Sequence, residues 1–441
     1  MQANTPKKKW LVISHGFNMD GRAASLTVTD KIPYLLEAGI EPIVLSAITG
    51  EKDTRFRHYQ LLPWGPSGLR FDFRHYVATK YGRGIIYKIL TPLVSTLLLP
   101  FTVLEKLLIG LSSQSSWSFA AAHCGEKIIK KEDIELIYSS GGAWSAHYAA
   151  YLIKKLTKKK WIAEIHDPMV IRDDPQDNGI APRKTKDKRF LQRLERIICR
   201  DADQVWWFTQ GALDYAKLRH PVLGDKGFVV LPGAIPPGCE EPLPANHLYQ
   251  SKLHIAHFGS LANDRSLAPV LAAIRPLLDA NPQLKDLLQI DVYGAALDQS
   301  SRDATAQYGF ESIVQEHGRI ENDPITGKSG RERVMEIMRA ADVLLLLHGD
   351  YEWCAEYIPS KSYDYFWSGR PIWGITNRNP SFDEMLRERG AYISHTLDAA
   401  SIAQVFEQIL QDWQNHQLPA KVMETVTPKD AVQTILKRIA P

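Results

Sequence analysis

Cysteine is scarce in this chain: four residues in 441, Cys124, Cys199, Cys239 and Cys354, with no CxxC pair and no His/Cys group at metal-ligand spacing. A disulfide scaffold and a structural zinc site are therefore excluded as organising devices, and a reducing cytoplasm is the expected compartment. Long apolar runs are lacking too. The longest uncharged stretch in the apolar region, Ile89–Leu104, carries Pro92 and Pro100 and falls short of the ~20 residues that a spanning helix needs. At the start, Lys7-Lys8-Lys9 leads into only WLVIS, too short for the apolar core of a signal peptide and better read as a buried first strand. GxGxxG is missing, which speaks against a dinucleotide cofactor. The common nucleic-acid-binding modules are missing as well, so nucleic acid is not an expected partner.

What is present is an ordinary globular composition, 44% hydrophobic and 23% charged, with a hidden asymmetry. Residues 1–240 hold 34 Lys and Arg against 24 Asp and Glu, whereas residues 241–441 hold 19 against 26. The basic half suits a phosphorylated ligand or an anionic lipid surface. It also contains Ile85–Leu111, an apolar segment with Arg70, Arg74, Lys80, Arg83, Lys88 and Lys106 nearby. Two readings stay open there: buried or amphipathic helices, or an apolar surface that rests on a bilayer or grips a lipid-linked substrate.

Short apolar runs alternate with helical stretches along the whole chain. Strands are expected at Trp10–Ser14, Pro42–Leu45, Leu136–Ser139, Trp161–Ile165, Gln204–Phe208 and Phe228–Leu231. In the second half they fall at Leu253–Phe258, Leu288–Tyr293, Ser312–Glu316, Val343–Leu347, Pro371–Ile375 and Ala391–Ile393. Helical stretches between them include Ala24–Ala38, Ser118–Lys130, Ala143–Leu156, Leu267–Leu278, Arg331–Ala340 and Lys361–Trp367. This alternation implies an α/β chain of two Rossmann-like domains, each a parallel sheet covered by helices on both faces. The proline-rich PGAIPPGCEEPLPAN marks the join. The expected division is 1–237, a linker at 238–252, 253–425, and a tail helix in 426–441 packing at the domain boundary.

In parallel sheets, ligands meet the loops that follow the strands. After the first strand comes SHGFNMDGRAAS, where Gly21 would let backbone approach an anion. After the first strand of the second half comes HFGSLANDRSL: Gly259 turns the chain and Arg265 opens the next helix. Further on, EYIPSKSYDYFWSGRPIWGI separates Glu356 from Asp364 by seven residues and sets Ser360-Lys361 at a helix start. Free amides there, with Lys361, suit a phosphate, and two carboxylates at this spacing can bond hydroxyls of two sugars. His147 early in a helix, and His166-Asp167 directly after a strand, are candidate cleft residues in the first domain. Glu164 is expected to face the opposite side. His317-Gly318-Arg319 follows another second-domain strand.

EYIPSKSYDYF resembles the donor-site signature of retaining GT-B glycosyltransferases of the family-4 type, with Asp364 where that family usually has Glu. HFGSLANDRSL is similar to the family's phosphate loop, with Arg265 at its lysine position and Ser260 in place of its arginine. SSGGAWSAHYAAYLIKKL, KKWIAEIHDP, ADQVWWFTQGALDYAKLR and VVLPGA are similar to the first domain of bacterial polysaccharide glycosyltransferases, with Gly141-Gly142 and His166 as departures. The resemblance implies a GT-B fold, its two Rossmann-like domains with parallel sheets facing a central cleft, and transfer, with retention, of a sugar from a nucleotide-sugar donor to a glycan or lipid-linked acceptor in cell-surface polysaccharide biosynthesis. It implies donor contacts at Gly21, Gly259, Arg265, Gly318, Ser360, Lys361 and Asp364, a catalytic set of His166, Asp167 and Glu356, and His147 as a further acceptor candidate. Backbone near Gly318 would read the nucleobase edge. The nucleotide sugar is a co-substrate, no separate cofactor is expected, and no acidic pair invites a metal, Asp173-Asp174 reading as a solvated loop. The acceptor is expected in the basic domain, with peripheral contact through 85–111 at the inner face of the cell membrane. A nucleotide-sugar epimerase of the same fold, or an inactive nucleotide-sugar-binding scaffold, are the alternatives.

Overall fold

The structure, a computed structural model, describes residues 8–19, 22–111, 114–170, 185–239, 251–262, 265–294, 296–323, 325–419 and 425–439. Gly21, the Asp173-Asp174 pair and residues 240–250 of the expected linker lie outside the described residues.

The described residues fall into two units, one comprising 8–170, 185–233 and 427–439, the other 234–426. The first unit opens with β1 (Lys8–Ile13), α1 (Ala23–Thr29), α2 (Ile32–Glu37), β2 (Ile40–Ala47) and β3 (Arg57–Leu61). Then follow α3 (Pro66–Tyr81), α4 (Ile85–Leu97), α5 (Leu99–Leu108), α6 (Ser115–Lys131), β4 (Leu136–Gly141) and α7 (Trp144–Thr157). β5 (Lys160–Ile165), α8 (Thr185–Asp201), β6 (Gln204–Trp207), α9 (Gln210–Arg219) and β7 (Gly227–Val229) complete its sheet. All seven strands run parallel, in the order β3-β2-β1-β4-β5-β6-β7.

The strands read as unbroken apolar runs because helices cover both faces. Leu11 and Ile13 pack on one side with Trp117, Ile137 and Trp161, while Trp10 and Val12 pack on the other with Tyr138 and Trp206. A single helix expected over Ala24–Ala38 is instead α1 and α2, with Pro33 in the first turn of the second. A proline there keeps its fixed φ without wasting a donor, but it removes the N–H that would continue the earlier helix.

The second unit contains β8 (Leu253–Gly259), α10 (Ala268–Ala280), β9 (Leu288–Gly294), α11 (Gln299–Tyr308), β10 (Val314–Gly318), α12 (Gly330–Ala340) and β11 (Val343–Leu347). It continues with α13 (Lys361–Ser368), β12 (Ile372–Thr376), α14 (Pro380–Arg387), β13 (Tyr392–His395) and α15 (Ala399–Gln414). Its six parallel strands are ordered β10-β9-β8-β11-β12-β13. The chain then returns to the first unit as α16 (Pro428–Ile439), where Ala431, Val432 and Ile435 are buried beside α2 and β1 residues.

In each sheet the strand order reverses beside the first strand, between β1 and β4 and between β8 and β11. The carboxyl ends flanking such a reversal are where an open α/β sheet binds ligands.

A candidate phosphate-gripping site and a buried carboxylate–histidine network

At the reversal point of the second sheet, Gly259 ends β8 with φ 125°. A Cβ there would lie 3.0 Å from the Lys361 ammonium, so glycine is what lets the lysine lie along the strand end. Lys361 opens α13, and its Nζ donates to the Phe258 carbonyl at 2.7 Å with His257 Nε2 3.4 Å away. Burial, joined by the charge of Arg265, holds the Lys361 amine well below the usual lysine value. The same burial, with Lys361 beside it, keeps His257 neutral, its pKa held well below the usual range.

Arg265 and Lys361 are thus brought to one end of the sheet. Arg265 was expected to open a helix; it sits instead in a short bridge with Ala262, three residues before α10 begins. Its Nε is buried and has no hydrogen-bond partner among the described residues. Around it lie Leu347, His348, Gly349, Asp350 and Thr396, from the carboxyl ends of β11 and β13. His348 is fixed by structure: Nε2 meets the Tyr357 carbonyl at 3.0 Å and Nδ1 faces the Asn377 amide at 3.3 Å, and burial lowers its pKa to about 4. A half-buried guanidinium, its Nε buried, near a desolvated amine, with no carboxylate within ion-pair distance of either among the described residues, is an unfavourable pairing that a bound polyanion would relieve.

The remaining expected donor residues sit at the end of β10, in the turn before α13 and at the start of α13 itself. Ser360 caps α13 in position only: it is exposed and its side chain makes no capping bond. The amides expected to be free are partly used, since Ser362 N–H donates to Pro359 O (2.9 Å) and Tyr363 N–H to Ser360 O (3.3 Å). Asp364, in the first turn of α13, faces Arg331 at 3.9 Å. Glu356 is buried at the end of the short turn Glu352–Glu356. Gly318 ends β10 with φ 68°, after a register shift in its pairing with β9. Beside it three rings stack across neighbouring strands: Phe258 on Tyr293 (4.9 Å) and Tyr293 on His317 (4.5 Å). Asp291 anchors this ladder, taking His317 Nε2 at 2.6 Å together with His254 and Gln289.

In the first unit, His166 follows β5 and lies within a buried network. Its Nε2 meets Glu164 Oε1 and Ser140 Oγ, each at 3.0 Å, and its ring stacks on Phe208 at 4.6 Å. Its Nδ1 is buried with no partner among the described residues. Glu164 is also clamped by Lys31 Nζ, at 2.7 and 2.8 Å, and accepts from the Tyr138 hydroxyl. Burial alone would raise the Glu164 carboxyl, but Lys31 and His166 outweigh it and hold the group well below the ordinary range. The expectation that Glu164 faces away is therefore corrected: positions two apart on a strand share a face. Asp167 is exposed, and a Cβ on Gly142 would sit 3.2 Å from its carboxylate. His147, expected near the cleft, is packed in the interior. It bonds Ser139, which also holds Trp161, and burial lowers its pKa to about 3.

Sequence reasoning missed Lys31, which pairs across 133 positions, and a second buried pair, His15 Nε2 with Asp72 Oδ1 at 3.2 Å. His15 follows β1 and Asp72 lies on α3, which was not anticipated as a helix; a polar loop tip and a mixed helix give no local signal of such a meeting.

No protein-family model matches the chain, and no curated protein is similar to it in sequence. Solved structures are similar in fold. HepE from Anabaena, solved with UDP and glucose, is 12% identical, with 98% of this chain and 99% of that one aligned and a TM-score of 0.58. TarM is 10% identical over 98% of both chains, at 0.60. An alpha,alpha-trehalose-phosphate synthase (UDP-forming) from Burkholderia vietnamiensis gives the same values. With its two parallel sheets of seven and six strands, each wrapped by helices, the chain has the two-domain Rossmann-like fold called GT-B.

Proposed function

We propose that this chain transfers a sugar from a nucleotide-sugar donor to a glycan or lipid-linked acceptor. The observation that carries the reading is the Arg265–Lys361 pair at the sheet reversal, two basic side chains with no acidic counter-ion among the described residues. Similar folds solved with UDP and glucose, or described as UDP-forming, support the choice of a nucleoside diphosphate as the missing anion.

In the transfer, the bond from the anomeric carbon to the diphosphate oxygen breaks and its electron pair leaves with the diphosphate. Arg265 and Lys361 stabilise that growing negative charge, the role a metal ion plays in other transferases, so the reaction proceeds without one. The acceptor hydroxyl forms the new bond on the face the diphosphate leaves, and its proton passes to the departing diphosphate. That geometry retains the anomeric configuration, in line with the resemblance to family-4 enzymes. Glu356 and Asp364 bind hydroxyls of the sugar and ribose, with Gly259, Ser360 and Gly318 admitting the donor closely. His166 and Asp167 meet the acceptor in the basic first unit. The acceptor is a lipid-linked glycan of cell-surface polysaccharide synthesis, handled at the inner face of the cell membrane.

Arg265→Ala and Lys361→Ala each remove a charged contact to the leaving group and should cost about 2–4 kcal/mol of transition-state stabilisation, ~30- to 1,000-fold in turnover. Release of free nucleotide from a donor panel, with and without a lipid-linked acceptor, is the measurement. Near-normal rates in both variants would end the reading. Nucleotide release that ignores the acceptor would replace transfer with hydrolysis or isomerisation.

A further inference from the structure

α4 and α5 are built inside out. A surface helix normally turns its apolar stripe to the core and its polar face to water. Here the buried residue of α4 is Thr91 and that of α5 is Thr102. Each threonine hydroxyl donates to a carbonyl of its own neighbourhood, Tyr87 O at 2.7 Å and Leu99 O at 2.8 Å, which makes it tolerable against the protein. Glu105 is also turned inward, accepting from the Ser67 amide (2.7 Å) in the first turn of α3. The residues that face outward are aliphatic and aromatic. Ile85, Ile89, Leu93 and Leu97 recur every fourth position along one stripe of α4, at 53–75% exposure. Phe101, Leu104, Leu107 and Leu108 continue it on α5, at 54–75%. Eight large apolar side chains, each more than half exposed, make a contiguous surface of the kind that a soluble monomer rarely leaves uncovered.

Length and shape narrow what covers it. At 1.5 Å per residue, the 13 residues of α4 reach about 20 Å and the 10 of α5 about 15 Å. Neither crosses a hydrocarbon core of about 30 Å, but each matches one leaflet. No single helix is long and apolar enough to cross a membrane among the described residues, and the two helices meet at a 52° bend. Pro100, in the first turn of α5, lacks the N–H that would carry the helix through. Charge selects among occupants. Arg70, Arg74, Lys80, Arg83, Lys88 and Lys106 are all exposed on α3, on the turn after it or on the pair itself, and α3 packs against both helices. A second copy of the chain would bring this basic rim against itself, whereas anionic lipid headgroups complement it.

We propose that α4 and α5 embed their outward apolar face in one leaflet of an anionic bilayer, holding the protein as a monotopic membrane protein rather than by surface charge alone. The transferase reading supplies only a purpose, access to a lipid-borne acceptor; attachment is measured without donor or turnover, so each idea fails separately.

The test is flotation of the purified full chain with phosphatidylethanolamine vesicles, with and without phosphatidylglycerol. The floated fraction is then washed in high salt and in alkaline carbonate. The expected result is flotation that requires phosphatidylglycerol for efficient capture, survives both washes and is released by detergent. Ile89→Ser combined with Leu104→Ser should lower flotation at least tenfold while leaving the thermal melt unchanged, because both positions already face outward. Complete release by high salt would overturn insertion in favour of electrostatic docking. Failure to float, with self-association that the double variant abolishes, would overturn it in favour of a dimer. Undiminished flotation by a folded double variant would show that another surface binds.

Discussion

At the residue scale, two desolvated ionisable groups define the molecule, and each has an opposite character. Lys361 is an amine held down by burial and by Arg265. A diphosphate placed beside it raises its proton affinity again, so binding draws in a proton. The affinity for UDP or a related nucleoside diphosphate should therefore fall as pH rises, in the range below the ordinary lysine value. Calorimetry in buffers of different ionisation enthalpy reads this directly as net proton uptake, and Lys361→Met should abolish that uptake. Glu164 is the reverse case, a carboxylate held down by Lys31 and His166. Its contribution to stability is present above the unfolded carboxylate value near 4.5 and is lost only as pH falls toward the depressed folded value. Lys31→Met leaves that carboxylate buried without its cation and should cost about 3–5 kcal/mol in a denaturant melt at neutral pH. Adding Glu164→Gln should recover part of the loss, since the uncompensated charge is then gone.

Among the elements, what was legible in the sequence was what local pattern dictates. The apolar runs of β1, β4, β5, β8, β9, β11 and β12 stand out because both faces of each sheet are covered, which makes the strand itself the signal. β3 was missed: RHYQL at the sheet edge is polar and half-buried, so it offers no run and little alternation. α3 was missed for a related reason, its buried residues being Ser67, Gly68, Asp72, His75 and Val77 rather than an aliphatic stripe. α4 and α5 were legible as helices, with their outward turn one of two open readings. Periodicity marks a stripe and is silent on which side of the helix the protein lies. The threonines on the opposite face decide that, and only after α3 is in place to receive them.

For the whole molecule, the chain path carries a consequence of its own. α16 comes from the far end of the sequence, yet Ala431, Val432 and Ile435 complete the core around Trp10, Val12 and Ile32 of the first unit. Truncation before Thr427 should therefore remove about 5 kcal/mol of apolar burial from the first unit, while the second keeps its core. Hydrogen exchange should show protection lost in β1 and α2 and retained in β8 and β11, and the truncated protein should still bind UDP. Equal loss in both units would mean that stability is shared across the chain.

By itself the sequence determined the alternation of strands and helices and the two segments, around Gly259 and around Lys361, whose residue types suit a phosphate. Those are local facts, set by hydrophobic period, turn residues and backbone freedom. Tertiary structure alone decided that Arg265 and Lys361 share one end of a sheet, that Lys31 reaches Glu164 across 133 positions, and that His147 is packed inside while His166 is held by a carboxylate. It also decided that an apolar helix pair faces outward. Burial and charge pairing depend on which segments the sheet order makes neighbours, and no window of sequence contains that order.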